Sequence, residues 1–273
     1  MRALARLSSA PTVKEIGRAA TLALYDELAL SPKPGLVTLT DRGSHADMDA
    51  HTFMRSLFAL RSYFVRIAEL GAAGAPFEAL ERCGIAAEAR MLAATGDINT
   101  HRGAIFMLGL LCASAGALGQ RPTPALIRQT LLDRWGEVLS ARAQRPSTLP
   151  GGLAARRWHL RSASMEAAMG FPTLFETAVP ALDKARGMPT PAARLDTLFA
   201  IMAVLDDSNL AHRGGLEGLR FAQTTARDFL AAGGASQGVE AAETIAAEFV
   251  RRKLSPGGAA DTLAAACWLD RLR

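Results

Sequence analysis

The chain has 273 residues, 49% hydrophobic and 21% charged, enough apolar length to bury a sizeable core and too hydrophobic for a disordered chain. Aromatic residues make up only 6% while Ala and Leu abound. Such a composition suits closely packed helices and supplies few of the residues that sheets favour, so an all-α protein is expected. Lys and Arg outnumber Asp and Glu by 31 to 26, a net charge of +5; the basic residues are scattered and never alternate with aromatics, which argues against nucleic acid and leaves a phosphate-rich small ligand.

Residues 1–12 carry two arginines and no acid and read as a frayed terminus, faintly like a transit peptide in composition. Apolar residues then recur at helical spacing over Val13–Leu30, Met48–Leu70 and Phe77–Ala94, with Gly or Pro at the ends. Further helices are predicted over 103–119, 124–143, 154–169, 173–186, 191–205, 215–231, 238–254 and 258–271, and no strand is. Even Ile105–Ala117 is too short, and too interrupted by glycine, to span a bilayer, so a soluble protein is expected. Cys83, Cys112 and Cys267 lie far apart inside helical patterns, which suggests buried thiols in a reducing cytoplasm rather than a zinc site or disulfides. The breaks at 145–152 and 187–191 are too short for domain linkers, so residues 1–273 read as a single domain with its active site in inter-helix loops.

Four irregular segments hold the polar residues that chemistry would need. Ser31-Pro-Lys-Pro-Gly-Leu-Val-Thr38 is a stiff turn that fixes Lys33 and Thr38, or simply stops a helix beside a solvated lysine. In Asp41-Arg-Gly-Ser-His-Ala-Asp-Met-Asp49 and His51, Ser44 is placed to cap the next helix. The pairs His45/Asp49 and Asp47/His51 would share a helical face, offering carboxylates for Mg²⁺ or a base, and a phosphate donor in His45. Equally, Asp47 and Asp49 favour a helix N-terminus on their own.

Thr95-Gly-Asp-Ile-Asn-Thr-His-Arg-Gly103 crowds Asp97, Asn99, His101 and Arg102 at the start of an apolar helix, where backbone N–H groups attract anions. Asp206-Asp-Ser-Asn-Leu-Ala-His-Arg-Gly-Gly215 repeats that order with one residue inserted before the His; its adjacent carboxylates call for a cation between them, Mg²⁺ or an Arg. Glu166 with Gly170-Phe-Pro172, and Ser255-Pro-Gly-Gly-Ala-Ala-Asp261, are weaker signals.

Over nearly its whole length the chain resembles the triphosphoribosyl-dephospho-CoA synthases, which make the prosthetic-group precursor of citrate lyase and malonate decarboxylase. The likeness is carried by Lys33-Pro-Gly-Leu-Val37, Gly43-Ser-His-Ala-Asp-Met48, Asn99-Thr-His-Arg-Gly-Ala-Ile-Phe106, Leu108-Gly-Leu-Leu-Cys112, Gly170-Phe-Pro172, Asp206-Asp-Ser-Asn209 and His212-Arg-Gly-Gly215. It implies that the 2′-hydroxyl of dephospho-CoA attacks C1′ of the ATP ribose, adenine leaves and the triphosphate stays on the product. For that reaction Mg²⁺ and triphosphate are expected between Asp206, Asp207 and Asp97 on one side and Lys33, Arg102 and Arg213 on the other, since Mg²⁺ prefers few carboxylates plus phosphate oxygens. His101 and His212 orient phosphate or adenine, Ser44, His45, Asn99 and Asn209 complete the binding set, and Asp47 is the base. Asp97, Asp207 and His101 count with Asp47 as catalytic.

Where the family pattern has Gly-Ala-Arg-Gly-Glu-Ala, this chain has Arg161-Ser-Ala-Ser-Met-Glu-Ala167; Glu166 is kept and the Arg before it is lost, with Arg161 upstream as its substitute. Arg102, where citrate-lyase relatives carry Lys, leans toward malonate decarboxylase. A helical Mg²⁺-dependent nucleotide or ribosyl hydrolase, and a nucleotide-binding module without turnover, are the alternatives. Ala-rich helices also make a homodimer an expectation.

Overall fold

The computed structural model describes residues 10–273. Most of the expected frayed terminus, residues 1–9, lies outside the described residues. Thr12 closes a capping box with Glu15 and starts α1, Val13–Ala29. The chain then forms α2 (Ala50–Ala72), α3 (Phe77–Thr95), α4 (Arg102–Leu118), α5 (Pro124–Ala143), α6 (Pro150–Trp158), α7 (Ala163–Ala168), α8 (Val179–Lys184), α9 (Thr190–Val204), α10 (Ser208–Ala231), α11 (Glu240–Arg251) and α12 (Gly257–Arg271). Among these residues there is no β-strand, only an isolated bridge between Arg186 and Met188.

Helix packing is tightest where side chains are smallest. α2 lies against α1, α3 and α4, and α12 packs on α1, α4 and α9. A Cβ on Gly71 of α2 would meet the Ala113 carbonyl of α4, and one on Gly116 of α4 would meet the Ala68 carbonyl of α2, so the two backbones touch. Tyr63 fills the space above Gly109 and donates its hydroxyl to the Ile105 carbonyl at 2.9 Å. On α12, Thr262 to Leu269 are all buried, and Trp268 donates to the Ile16 carbonyl at 3.1 Å. One contiguous apolar core runs through these helices.

Three predicted elements differ. The stretch 154–169 divides because His159 adopts a left-handed conformation that ends α6, and Ser162 caps α7. Within 173–186, Pro180 has no N–H to continue the ladder, and a π-helical turn, Thr173–Ala178, precedes α8. The helix expected from 215 is preceded by a short helical segment: Asp207 caps it at Ser208, and Gly215 (φ 64°, ψ −166°) breaks the helical path between the two segments of α10.

Candidate active site

The floor of the site is built where α1, α4, α10 and α12 meet. Glu27 lies on the buried stripe of α1 formed by Ala20, Ala23 and Leu24. The 31–35 turn doubles back beneath the helix end, and Lys33 Nζ donates to Glu27 Oε1 at 2.5 Å and to the Glu27 carbonyl at 2.6 Å. Both side chains are buried. Burial pushes the Lys33 ammonium below its ordinary pKa, and the Glu27 charge and hydrogen bond oppose that.

α12 brings Asp261 to the N-terminus of α4, where it accepts from the Ala104 N–H. The approach needs a glycine, since a Cβ at Gly103 would run into the Asp261 carboxylate. Burial, reinforced by Glu27 and Asp207, holds Asp261 well above the usual carboxylate range.

His101 immediately precedes α4, with its ring buried and edge-on to Phe53. Thr100 Oγ1 donates to Ser56 Oγ at 2.7 Å, which leaves the Ser56 proton for His101 Nδ1 at 2.6 Å. Nε2 then carries the ring proton. That nitrogen is buried and has no hydrogen-bond partner among the described residues. Burial and the nearby Lys33 charge push the His101 pKa down to about 3, so the ring is a neutral donor at physiological pH.

Asp207 joins two helix starts. Its Oδ1 accepts from the Asn209 and Leu210 N–H groups at 2.9 and 3.4 Å, and Oδ2 accepts from the Ala259 N–H at 3.0 Å. One turn further along α10, Arg213 donates to the Ser44 and Lys253 carbonyls at 3.1 and 3.2 Å and contacts His45 Nδ1 at 3.0 Å. The other His45 nitrogen lies 3.0 Å from Ser255 Oγ. Burial, with Arg213 adding to it and Asp47 opposing, lowers the His45 pKa to about 4.

These elements enclose a cavity of about 1330 Å³. His45, Asn99, His101, Arg102, Asn209, His212 and Arg213 line it, so both Asn-to-His-Arg segments face one space. They are not structural equivalents: His101 precedes its helix, whereas His212 and Arg213 lie inside α10. The outer wall carries two ion pairs, Arg102 Nε with Glu88 at 2.6 Å and Arg142 with Glu81.

Several expected site residues stand elsewhere. Lys33 is bound to Glu27 and does not line the cavity. Asp49, not Ser44, caps α2; Ser44 donates to the Leu254 carbonyl at 2.6 Å, outside the wall. Because the helix starts only at Ala50, the proposed i,i+4 pairs do not form. Asp47, expected as the base, has a side chain 61% exposed and is absent from the wall. Asp97 is exposed in the turn after α3, and Asp206 accepts from the Arg161 N–H at 3.1 Å; neither lines the cavity. Among the described residues no three His, Cys, Asp or Glu side chains could hold a metal ion, and the Asp207 oxygens already accept backbone donors. Asp97, Asp206 and Asp207 are therefore not gathered into one carboxylate cluster. Arg161 pairs with buried Glu166 at 2.7 Å, supplying the charge missing from the altered 161–167 run.

Glu27 and Asp261, both on the wall, were not among the expected site residues. The signal for Glu27 was a carboxylate on an apolar helical stripe; for Asp261 it was the Ser255–Asp261 glycine turn, whose acid ends the motif.

In an all-helical protein, a large half-open cavity with arginines and carboxylates on its wall suits a phosphorylated ligand. The family model described as CitG, ATP:dephospho-CoA triphosphoribosyl transferase, matches residues 13–273, and the chain belongs to that family. It is 42% identical over 261 residues to a probable 2-(5″-triphosphoribosyl)-3′-dephosphocoenzyme-A synthase of Azotobacter vinelandii, covering 92% of this chain and 88% of that protein. The synthase of Klebsiella pneumoniae is 38% identical, over 100% of this chain and 99% of its own. A probable synthase of Acinetobacter calcoaceticus is 39% identical, over 89% and 86%. No solved structure matches.

Proposed function

We propose that the cavity holds ATP and 3′-dephospho-CoA together, and that the enzyme transfers the 5-triphosphoribosyl group of ATP to the 2′-hydroxyl of dephospho-CoA with release of adenine. The observation that carries this reading is the cavity itself. Its volume of about 1330 Å³ exceeds the roughly 300–1,000 Å³ of a pocket for one drug-sized ligand. Arg102, Arg213, His212, Asn99 and Asn209 line it as donors for phosphate oxygens, and His45 beside them accepts from Arg213. On the floor, carboxylates face the place where ribose would gain positive charge as adenine departs. His101 Nε2–H offers that adenine, or a phosphate, a neutral donor.

ATP enters with Mg²⁺ carried on its phosphates, because this ion prefers phosphate oxygens and few carboxylates. The test is incubation with ATP, Mg²⁺ and dephospho-CoA, with the bases followed by chromatography. Adenine is expected together with a heavier CoA species, and a chelator is expected to stop both. ADP or AMP in place of adenine, or adenine release that ignores dephospho-CoA, would make the protein a hydrolase.

The product is assigned to malonate decarboxylase on Arg102; a citrate lyase carrier gene beside this one would reverse that. The reaction is placed in the cytoplasm, in keeping with three free thiols and with the absence, among the described residues, of a helix able to cross a membrane. A homodimer is also proposed from the Ala-rich helices, and light scattering should give twice the chain mass of 28.9 kDa.

A further inference from the structure

Four carboxylates line the cavity: Glu27, Glu81, Glu88 and Asp261. Three of them have a cation. Lys33 holds Glu27, Arg142 holds Glu81 and Arg102 holds Glu88. Among the described residues Asp261 has no cationic partner, only the Ala104 N–H. A carboxylate fixed on a cation is a poor proton acceptor, whereas one among other carboxylates gains by taking a proton.

A second observation points to a ligand at the same place. His101 is 3% exposed, it lines the same cavity, and its Nε2 has no partner within the protein. A buried donor of this kind is costly unless something bound satisfies it. It stands just before α4, and Asp261 reaches the N-terminus of that same helix. A carboxylate without a cation and a donor without a partner thus stand at one helix start.

We propose that Asp261, rather than the exposed Asp47, takes the proton of the dephospho-CoA 2′-hydroxyl as that oxygen attacks C1′ of the ATP ribose. The assignment rests on the transferase reading. The O2′–C1′ bond forms as the C1′–N9 bond breaks. Adenine leaves with that electron pair and takes up one proton; the hydroxyl proton passes to Asp261 and is then released, so the count balances. Glu27, held by Lys33, is the carboxylate that stabilises the developing charge of the ribose. Gly103 leaves the space in which the Asp261 carboxylate reaches the cavity. The charged groups acting on Asp261 are Glu27 from α1 and Asp207 before α10; Lys33, from the turn after α1, is bound to Glu27 and acts on His101 before α4.

Asp261→Asn keeps the shape and removes the base. With native circular dichroism, it should lower kcat for adenine release by about 100-fold or more while leaving the KM for ATP within a few-fold. Asp261→Ala opens space for a small carboxylate, and formate should restore at least about tenfold of its lost rate. An Asn variant within tenfold of wild type overturns the assignment, as does a folded Ala variant that formate leaves unchanged. Wild-type enzyme run alongside separates the two claims. If wild type releases no adenine, the transferase reading fails and this assignment with it; if wild type works beside a near-normal Asn variant, only the assignment fails.

Discussion

Lys33→Met should destabilise the protein by about 3–5 kcal/mol, the cost of leaving a buried charge without its partner. The side chain of Lys33 is fully buried, and its ammonium meets both the carboxylate and the carbonyl of Glu27. Methionine fills nearly the same volume and supplies no charge, so the Glu27 carboxylate would stay buried against apolar neighbours. Urea unfolding measures the loss. Adding Glu27→Gln removes the stranded charge, and the double variant should recover most of the stability, because replacing both members of a buried pair is often close to neutral. Activity should not return with it, since the carboxylate on the cavity floor is gone. The outcome also tests the expectation from sequence that Lys33 binds phosphate. In that case Lys33→Met would keep wild-type stability and lose only affinity for ATP.

Asp207→Asn should cost about 2–4 kcal/mol and abolish adenine release, although the residue does not face the cavity. Its two oxygens have different tasks. Oδ1 caps α10, and an asparagine oxygen can do the same. Oδ2 accepts the Ala259 N–H at the start of α12, where an amide NH₂ would set donor against donor. The seam between α10 and α12 should therefore open while the α10 cap persists. Asp261 stands two residues beyond Ala259 and would move with it. Burial raises the Asp207 pKa against four backbone N–H groups that lower it, so the carboxylate earns its place by geometry more than by charge. Thermal unfolding and an adenine assay well below the transition check this. Wild-type values in both would mean that the seam holds without the second oxygen.

Much of the fold was legible because helix periodicity and its punctuation are local. Val13–Leu30 and Phe77–Ala94 were expected, and α1 and α3 end within a residue of those limits. The first segment of α10 was not legible: Gly214-Gly215 reads as a break and Gly215 is indeed non-helical, but only the Asp207 cap with its partner at Ala259 shows that a short helical segment precedes it. In the site, the residues crowded at helix starts, His101, Arg102, His212 and Arg213, were visible as departures from apolar texture. Lys33 was visible and misread, because a lysine in a proline turn says nothing about which distant carbonyl it will meet. Asp47 drew attention through its company of His and Asp, yet the cap at Asp49 leaves it outside. Asp261 was hidden for the opposite reason. Its importance comes from a neighbour 158 positions away, Gly103, which lacks the side chain that would exclude it.

The contacts at Gly103, and between Gly71 and Ala113, are contacts with main chain or made possible by bare main chain. Their shape is set by the path of the polypeptide and cannot be retuned one side chain at a time. Exchanges there are expected to be costly whatever the substrate, so a changed acceptor preference is more readily built on the arginine-bearing rim of α5 and α6. Invention in this enzyme is confined to its edges.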